Sequence, residues 1–355
     1  MAAVSEARVV VRAARPGEGG QIAQLWRELW EAHEGWGGYA SSHDDRVFQR
    51  LAVRLDEDAR VRADYPVLGR HLHLIATVNG DVAGQVEGWF DRHGIDSSTP
   101  FTCEVRSLVV SSRMQRLGVG AALLHALSQL AVDLARGSRA LLVAEVLEPN
   151  PAQTFYVKMG FSPVSYSGFV PVDFVARADT REHADESARF TARPARRSDA
   201  LAIALLEGPL AERRRACGDA RFDSPHAVDA TLVGAIASHL ERGQRDPLDP
   251  LELVVVDSKD SVHGAASFGT SLLDPPFLPT KRAVLARFAL DPAIDPKCLV
   301  APLVAEACAL ARDVGARGIE LVDLPSPGAP LFAALFGPHG IGAQPWSRIV
   351  LREAK

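Results

Sequence analysis

The chain has no cysteines at metal-site or redox spacing, almost no lysine, and no apolar run long enough to cross a bilayer. Cys103, Cys217, Cys298 and Cys308 never form a CxxC pattern, which argues against a disulfide frame or a cysteine zinc site. They read as buried or incidental thiols in a reducing compartment, and no metal is expected. Lysine occurs only at 158, 259, 281, 297 and 355, the other basic residues being arginine. With a net charge of −5, neither a general nucleic-acid role nor adhesion to an anionic membrane gains support. An acidic surface suits a cationic small molecule or a basic peptide instead. The opening "MAAVSEARVVVRAARPGE" is charged too early for a signal peptide, so the expectation is a cytoplasmic protein.

What is present fits a globular protein, at 47% hydrophobic and 23% charged residues, and 355 residues suit two domains better than one core. "RVVVRAA" (8–14) predicts a strand, and Ile22, Leu25, Trp26, Leu29 and Trp30 fall at helical spacing. Residues 71–90 read as a hairpin turning at Asn79-Gly80, and "TCEVRSLVV" (102–110) as a strand. A helix to about Arg136, a strand over 139–147, a helix over 151–160 and two more strands by Ala176 complete the first half. The charged stretch 177–189 reads as a linker.

The pattern then starts again. "RPARRSDALAIALL" (193–206) mirrors "RAARPGEGGQIAQLW" at an offset of 181, pairing Arg12 with Arg193 and Ile22 with Ile203. Residues 251–269 mirror the hairpin, 285–292 mirror 104–112, and 329–342 mirror 152–161. Four matches in one order imply a tandem repeat of an α/β domain, residues 1–176 and 190–355, each a mixed, mostly antiparallel sheet flanked by helices.

"QRLGVGAALLHAL" (115–127) puts Gly118 and Gly120 at the start of a helix. Either the glycines make a tight strand-to-helix turn, or they bare the amides of a helix N-terminus to a phosphate. The third glycine of a dinucleotide fingerprint and the Gly-Lys-Ser/Thr of a P-loop are both missing, so those two nucleotide sites are excluded.

The stretch resembles the GNAT family, the GCN5-related N-acetyltransferases, in which a strand leads into Gln/Arg-x-x-Gly-x-Gly/Ala and then a helix. Gln115, Gly118 and Gly120 fill that pattern, and "NPAQTFYVKMGF" (150–161) is similar to the family's second signature. The resemblance implies acetyl-CoA as donor. It implies that the amides of Gln115, Arg116, Leu117, Gly118, Val119, Gly120 and Ala121 hold the pyrophosphate. It also implies that the backbone of Leu108, Val109 and Val110, exposed by a splay after the strand, pairs with pantetheine. Arg113 and Arg116 are either phosphate contacts or solvated side chains. Phe155 and Asn150 fall among the implied cofactor contacts, although Asn150 equally fits a helix cap.

Acyl transfer to an amine needs a base and a proton donor for the thiolate. Glu104, eleven residues before Gln115, stands where histone-type members of the family carry their glutamate, with Glu87 and Glu145 as alternates. Tyr156 matches the family's tyrosine beside the CoA sulfur. Trp26, Trp30 and Trp36 read as core aromatics, one of which lines an acceptor cleft in the alternative reading. In the second copy "QRLGVG" becomes "DPKCLV" (295–300) and Tyr156 becomes Ala333, so the cradle and the acid are lost there. The expected function is acetyl-CoA-dependent N-acetylation of a small-molecule amine. The cleft is closed either by residues 36–51 or by the second copy, which works as a pseudo-dimer partner within a monomer or within a homodimer. A protein lysine or N-terminus as acceptor, or a non-catalytic acyl-CoA sensor, are the alternatives.

Overall fold

The β-branched run of β1 (Val9–Arg12) leads into α1 (Gly19–Gly35), whose Ile22, Ala23, Leu25 and Trp30 form one buried face. The computed structural model describes residues 8–62, 65–91, 100–173, 189–223, 228–243, 250–273, 277–337 and 341–355. A second helix, α2 (Asp45–Arg62), follows where the sequence reading has only a candidate lid; Phe48, Leu51, Leu55 and Ala59 make its apolar stripe. Asp56 of α2 accepts hydrogen bonds from the N–H groups of Gly17 and Gly19, each at 2.8 Å, and so caps α1 from a neighbouring helix.

The two-residue strand β2 (Val67–Leu68) pairs with β3 (His71–Val78). Asn79 and Gly80, at φ 54° and 98°, turn β3 into β4 (Asp81–Asp91) as a tight hairpin requires. β5 (Phe101–Val110) lies antiparallel to β4, and β6 (Ala140–Leu147) parallel to β5. Between them runs α3 (Val119–Ala135), and α4 (Gln153–Lys158) follows β6. Leu72, Leu74, Val86, Cys103 and Val105 point to α3, where they meet Leu123, Leu124 and Leu127. The alternate residues of the same strands face α1 and α2, with Ile75 packed against Ile22, Trp30 and Leu51. Cys103 belongs to the α3 side, where burial pushes its thiol up to about 12, with Glu104 adding to the shift.

The chain divides into two compact units that exchange strands. The first comprises Met1–Ser162 with Asp274–Leu278 and Val350–Lys355; the second comprises Pro163–Leu273 and Pro279–Ile349. In the first unit the chain end lies beside β6. Ala354 donates to the carbonyl of Ala140 at 2.9 Å, Arg352 donates to that of Met159 at 2.8 Å, and Val350 and Ala354 join the core under α3. Phe277 stacks edge-on against Trp30 at 5.9 Å, and Leu278 donates to Ala40 at 2.9 Å.

The second unit takes β7 (Ser162–Pro171) from the first half of the sequence. Its further elements are β8 (Thr191–Pro194), α5 (Ala200–Ala216), α6 (Ala230–Gly243), β9 (Leu251–Val256), β10 (Val262–Leu272), β11 (Lys281–Leu290), α7 (Pro296–Asp313), β12 (Gly318–Leu324), α8 (Pro330–Phe336) and the first part of β13 (Gln344–Glu353), whose residues from Val350 on belong to the first unit. β7 pairs antiparallel with β12, from Gly318–Pro171 to Leu324–Tyr166. One strand therefore stands where the sequence reading expects two by Ala176; residues 174–176, and all but the last residue of the 177–189 linker, lie outside the described residues.

The repeat is reproduced in detail. Arg12 grips Glu18, which also accepts from the Arg15 N–H at 2.7 Å; Arg193 grips Asp199, which accepts from the Arg196 N–H at 2.7 Å. Gly84 faces Val110, and Gly264 faces Leu290. Each hairpin shifts register at the same point, after Gln85 in one copy and after Ala265 in the other. The fold is thus two tandem copies of one mixed, mostly antiparallel α/β domain. Among the described residues no helix is long and apolar enough to cross a membrane, and no group of His, Cys, Asp and Glu is arranged to hold a metal ion.

Candidate active site

The site begins with a defect in a strand. The register between β4 and β5 passes from Glu87–Arg106 to Gln85–Val109, so β5 carries one extra residue, a β-bulge, and Ser107 sits there at φ 49°. A non-glycine residue rarely holds this left-handed conformation, which costs strain. Beyond the bulge β5 leaves its parallel neighbour. Pairing with β6 runs from Phe101–Ala140 to Val105–Ala144 and ends, although the strands continue to Val110 and Leu147. The edge formed by Leu108, Val109 and Val110 toward β6 therefore carries backbone groups without a strand partner among the described residues.

The glycine turn follows. A 3-10 turn at Ser112–Met114 is pinned by Glu28 of α1, which accepts from the Ser112 N–H at 3.2 Å. Arg116 (φ 67°) and Gly118 (φ 80°) are both left-handed and bracket Leu117, a backbone form that gathers amides into an anion-binding concavity. Helix α3 starts at Val119 with no side-chain cap, and its first intrahelical bond is from Ala122 to Gly118. The amides of Val119, Gly120 and Ala121 precede that bond and are left to a ligand or to water. A Cβ at Gly120 would lie 3.3 Å from the Phe155 ring and 3.6 Å from Val110, so the turn, the end of β5 and the second signature meet at one point. Arg113, Gln115, Arg116 and Leu117 are exposed there. Asn150 holds the turn ahead of α4, its Oδ1 accepting from the Ala152 N–H at 2.8 Å; this occupies the oxygen and not the amide NH2.

Tyr156 is buried between Phe155 and Phe161 on the α3 side of the sheet, and burial pushes its phenol up, which keeps it protonated. Glu104 lies on the opposite face, between Cys103 and Val105, and its Oε2 accepts from Arg106 at 2.7 Å. The two side chains could meet one substrate only through the gap between β5 and β6. On the face of Glu104, Arg106 is held charged: burial opposes its charge, but Glu104, Glu87 and Glu145 together outweigh that. Glu87 differs from Glu104 in being buried, with His71 Nε2 at 3.1 Å from its Oε1. Burial works against its charged form, yet hydrogen bonds from His71 and Ser107 and the nearby His73 hold its carboxyl below the usual range. Trp30 is core, Trp26 stacks on it at 4.4 Å, and Trp36 lies against His33.

Residues 23–161 match the family model described as the acetyltransferase (GNAT) family. The matched residues all fall in the first copy, and the GNAT likeness in sequence stands there. No curated protein matches it in sequence. A GCN5-related N-acetyltransferase from Sphaerobacter thermophilus is 14% identical, with 98% of this chain aligned to 96% of that one at a TM-score of 0.56. A GCN5-related glucosamine N-acetyltransferase region in a fungal multi-domain GH3 β-N-acetylglucosaminidase is 12% identical over 98% of this chain and 38% of that chain, with a TM-score of 0.55. At these identities the likeness is one of fold.

GNAT enzymes transfer acyl groups from acetyl-CoA, and the first copy fits that donor on its own geometry: uncapped amides, a glycine where a side chain would be crowded, and a strand edge open beside them. The second copy keeps the splay, with Arg287 at φ 60° in its bulge and pairing of β11 with β12 ending at Leu285–Leu321. Its helix end is closed. Asp295 caps α7 by accepting from the Lys297 N–H at 2.9 Å, and Pro296 removes a further amide.

Proposed function

We propose that the chain acetylates a primary amine of a small molecule, with acetyl-CoA as donor bound once per chain in the first copy. The observation that carries this is the contrast between the two helix starts. The amides of α3 are open, whereas at α7 the chain's own carboxylate takes the Lys297 amide and Pro296 removes another. In this reading the amides of Gln115–Ala121 hold the pyrophosphate, helped by the positive end of α3. The free edge of Leu108–Val110 pairs with the pantetheine amides like an added strand. Phe155 and the Asn150 amide NH2 flank the cofactor.

The amine nitrogen attacks the thioester carbonyl, a C–N bond forms and the C–S bond breaks. Glu104 takes the amine proton, directly or through water, and Tyr156 donates to the departing thiolate. The glutamate-lined face around Arg106 favours an acceptor that arrives as a cation. An acceptor screen that detects free thiol tests the reading, and an absence of thiol release with every amine, despite acetyl-CoA binding, would leave only a sensor.

Two substitutions separate the roles. Glu104→Gln should lower kcat by about 10²–10⁴-fold, the usual contribution of a general base, with acetyl-CoA affinity retained. Steady-state kinetics alongside calorimetry read both quantities, and an unchanged kcat would remove Glu104 from the mechanism. Tyr156→Phe keeps the packing against Phe161 and removes one O–H. Turnover should fall within the same range of roughly 10²–10⁴-fold while binding holds, and an unaltered rate would make Tyr156 a core residue only.

A further inference from the structure

We propose that Arg62, His71 and Glu87 are positioning residues for the acyl transfer, forming a buried strap that holds the bulge at Ser107 and with it the opening between β5 and β6. The inference rests on the reading above, in which that opening receives the thioester arm.

The strap is continuous from α2 to β5. Arg62, at the end of α2 and 4% exposed, donates to the carbonyl of Pro66 at 2.7 Å and to that of His71 at 3.3 Å. Its second terminal nitrogen lies 2.7 Å from His71 Nδ1. A guanidinium only donates, so Nδ1 accepts, and the ring hydrogen belongs on Nε2, where it is given to Glu87. Trp89 stacks on the His71 ring at 4.6 Å and fixes its plane. Glu87 in turn stands across from Arg106, at the register shift where Ser107 takes up its left-handed backbone, and the Ser107 side chain helps to hold its carboxyl below the usual range. Each link is charged or charge-assisted and nearly sealed from water, which makes it stronger than a surface bond.

The second copy supports a role in holding the bulge rather than in proton transfer. There the bulge residue is Arg287, and it too is tied to a buried carboxylate: Glu252 lies 3.3 Å from Arg287, 3.6 Å from His239 and 2.5 Å from the hydroxyl of Ser267. The residues differ and come from other elements, His239 from α6 and Glu252 from β9, yet a strap of carboxylate and histidine is rebuilt around a left-handed bulge. That copy has no open helix start and no tyrosine at the position of Tyr156, so its strap serves no acyl transfer. The shared task is to keep β11 or β5 bent away from its parallel neighbour. Only in the first copy does the bend expose an edge beside an open cradle.

The test uses the full chain and two readouts. In Glu87→Ala, amide hydrogen exchange at 107–110 should rise about tenfold or more, the scale of buried donors left without an acceptor, while β3 and α3 stay protected. Ser107→Ala, a smaller change, should raise exchange at the same amides. Acetyl-CoA affinity, by calorimetry, should fall in Glu87→Ala and return to within about threefold in Glu87→Gln, whose amide oxygen still accepts from His71. Unchanged exchange at 107–110 in Glu87→Ala, or a rise spread evenly over the whole unit, overturns the strap. So does a Glu87→Gln chain that binds acetyl-CoA tightly but no longer turns over, since Glu87 would then be the base. A wild-type chain that fails to bind acetyl-CoA refutes the proposed function, and the exchange data still decide the strap.

Discussion

Gly120→Asp should abolish acetyl-CoA binding while the protein stays folded. The position is in the first turn of α3, and even a bare Cβ there comes within 3.3 Å of Phe155 and 3.6 Å of Val110. A longer side chain must therefore turn away from the ring, toward the space that the amides of 119–121 face. It brings a carboxylate to the place proposed for the pyrophosphate. Two unit charges at about 4 Å and an effective dielectric of about 20 repel by roughly 4 kcal/mol, close to three orders of magnitude in affinity. Folding is spared by the same physics, because an acidic residue near a helix N-terminus is favourable. Gly120→Ala separates the causes: it adds the crowding without the charge and should weaken binding far less. Calorimetry on the three proteins reads the result, with one site per wild-type chain. Two equivalent sites, or an Asp variant that still binds, would sink the placement of the cofactor at α3.

The sequence made some of this legible and hid the rest for physical reasons. Asn79-Gly80 and the "QRLGVG" turn are readable because left-handed backbone is cheap only for glycine and a few others, so the residue names the conformation. The second copy is readable because Arg12 and Arg193 recur with their carboxylate partners in step. Helix α2 escaped because half of its residues are charged, and its stripe of Phe48, Leu51, Leu55 and Ala59 is thin. The bulge at Ser107 carries no glycine to announce it; it arises in the pairing with β4, whose Glu87 lies twenty residues away in sequence. Arg62 and His71 likewise acquire a role only when the hairpin and α2 bring them together. Strand exchange was invisible for a different reason: β7 and β13 are each good strands, and alternating apolar residues do not say which unit will take them.

That exchange sets the strongest expectation for stability: residues 1–180 expressed alone should aggregate or fail to fold, and a peptide copying 344–355 should rescue them. The fragment lacks Val350 and Ala354 from the core beneath α3, as well as the Arg352 bond to Met159 and the Ala354 bond to Ala140. Lys355 and Ser128, which bond to one another at 3.1 Å, part as well. Ala140, Leu141 and Leu142 of β6 are fully or almost fully buried in the intact chain, and without the chain end their strand becomes an apolar edge of the kind that templates association. Loss of Phe277 and Leu278 also uncovers Trp30 and frees the loop whose Ala40 accepts from the Leu278 N–H. The second copy is thus expected to be needed for folding through the strand and the aromatic it lends, while supplying no catalytic group. Size-exclusion chromatography and thermal melting of the fragment, with and without the peptide, give the answer. A monomeric fragment that melts cooperatively and binds acetyl-CoA as the full chain does would show that β6 needs no borrowed neighbour, and would return the second copy to a role in shaping the acceptor cleft alone.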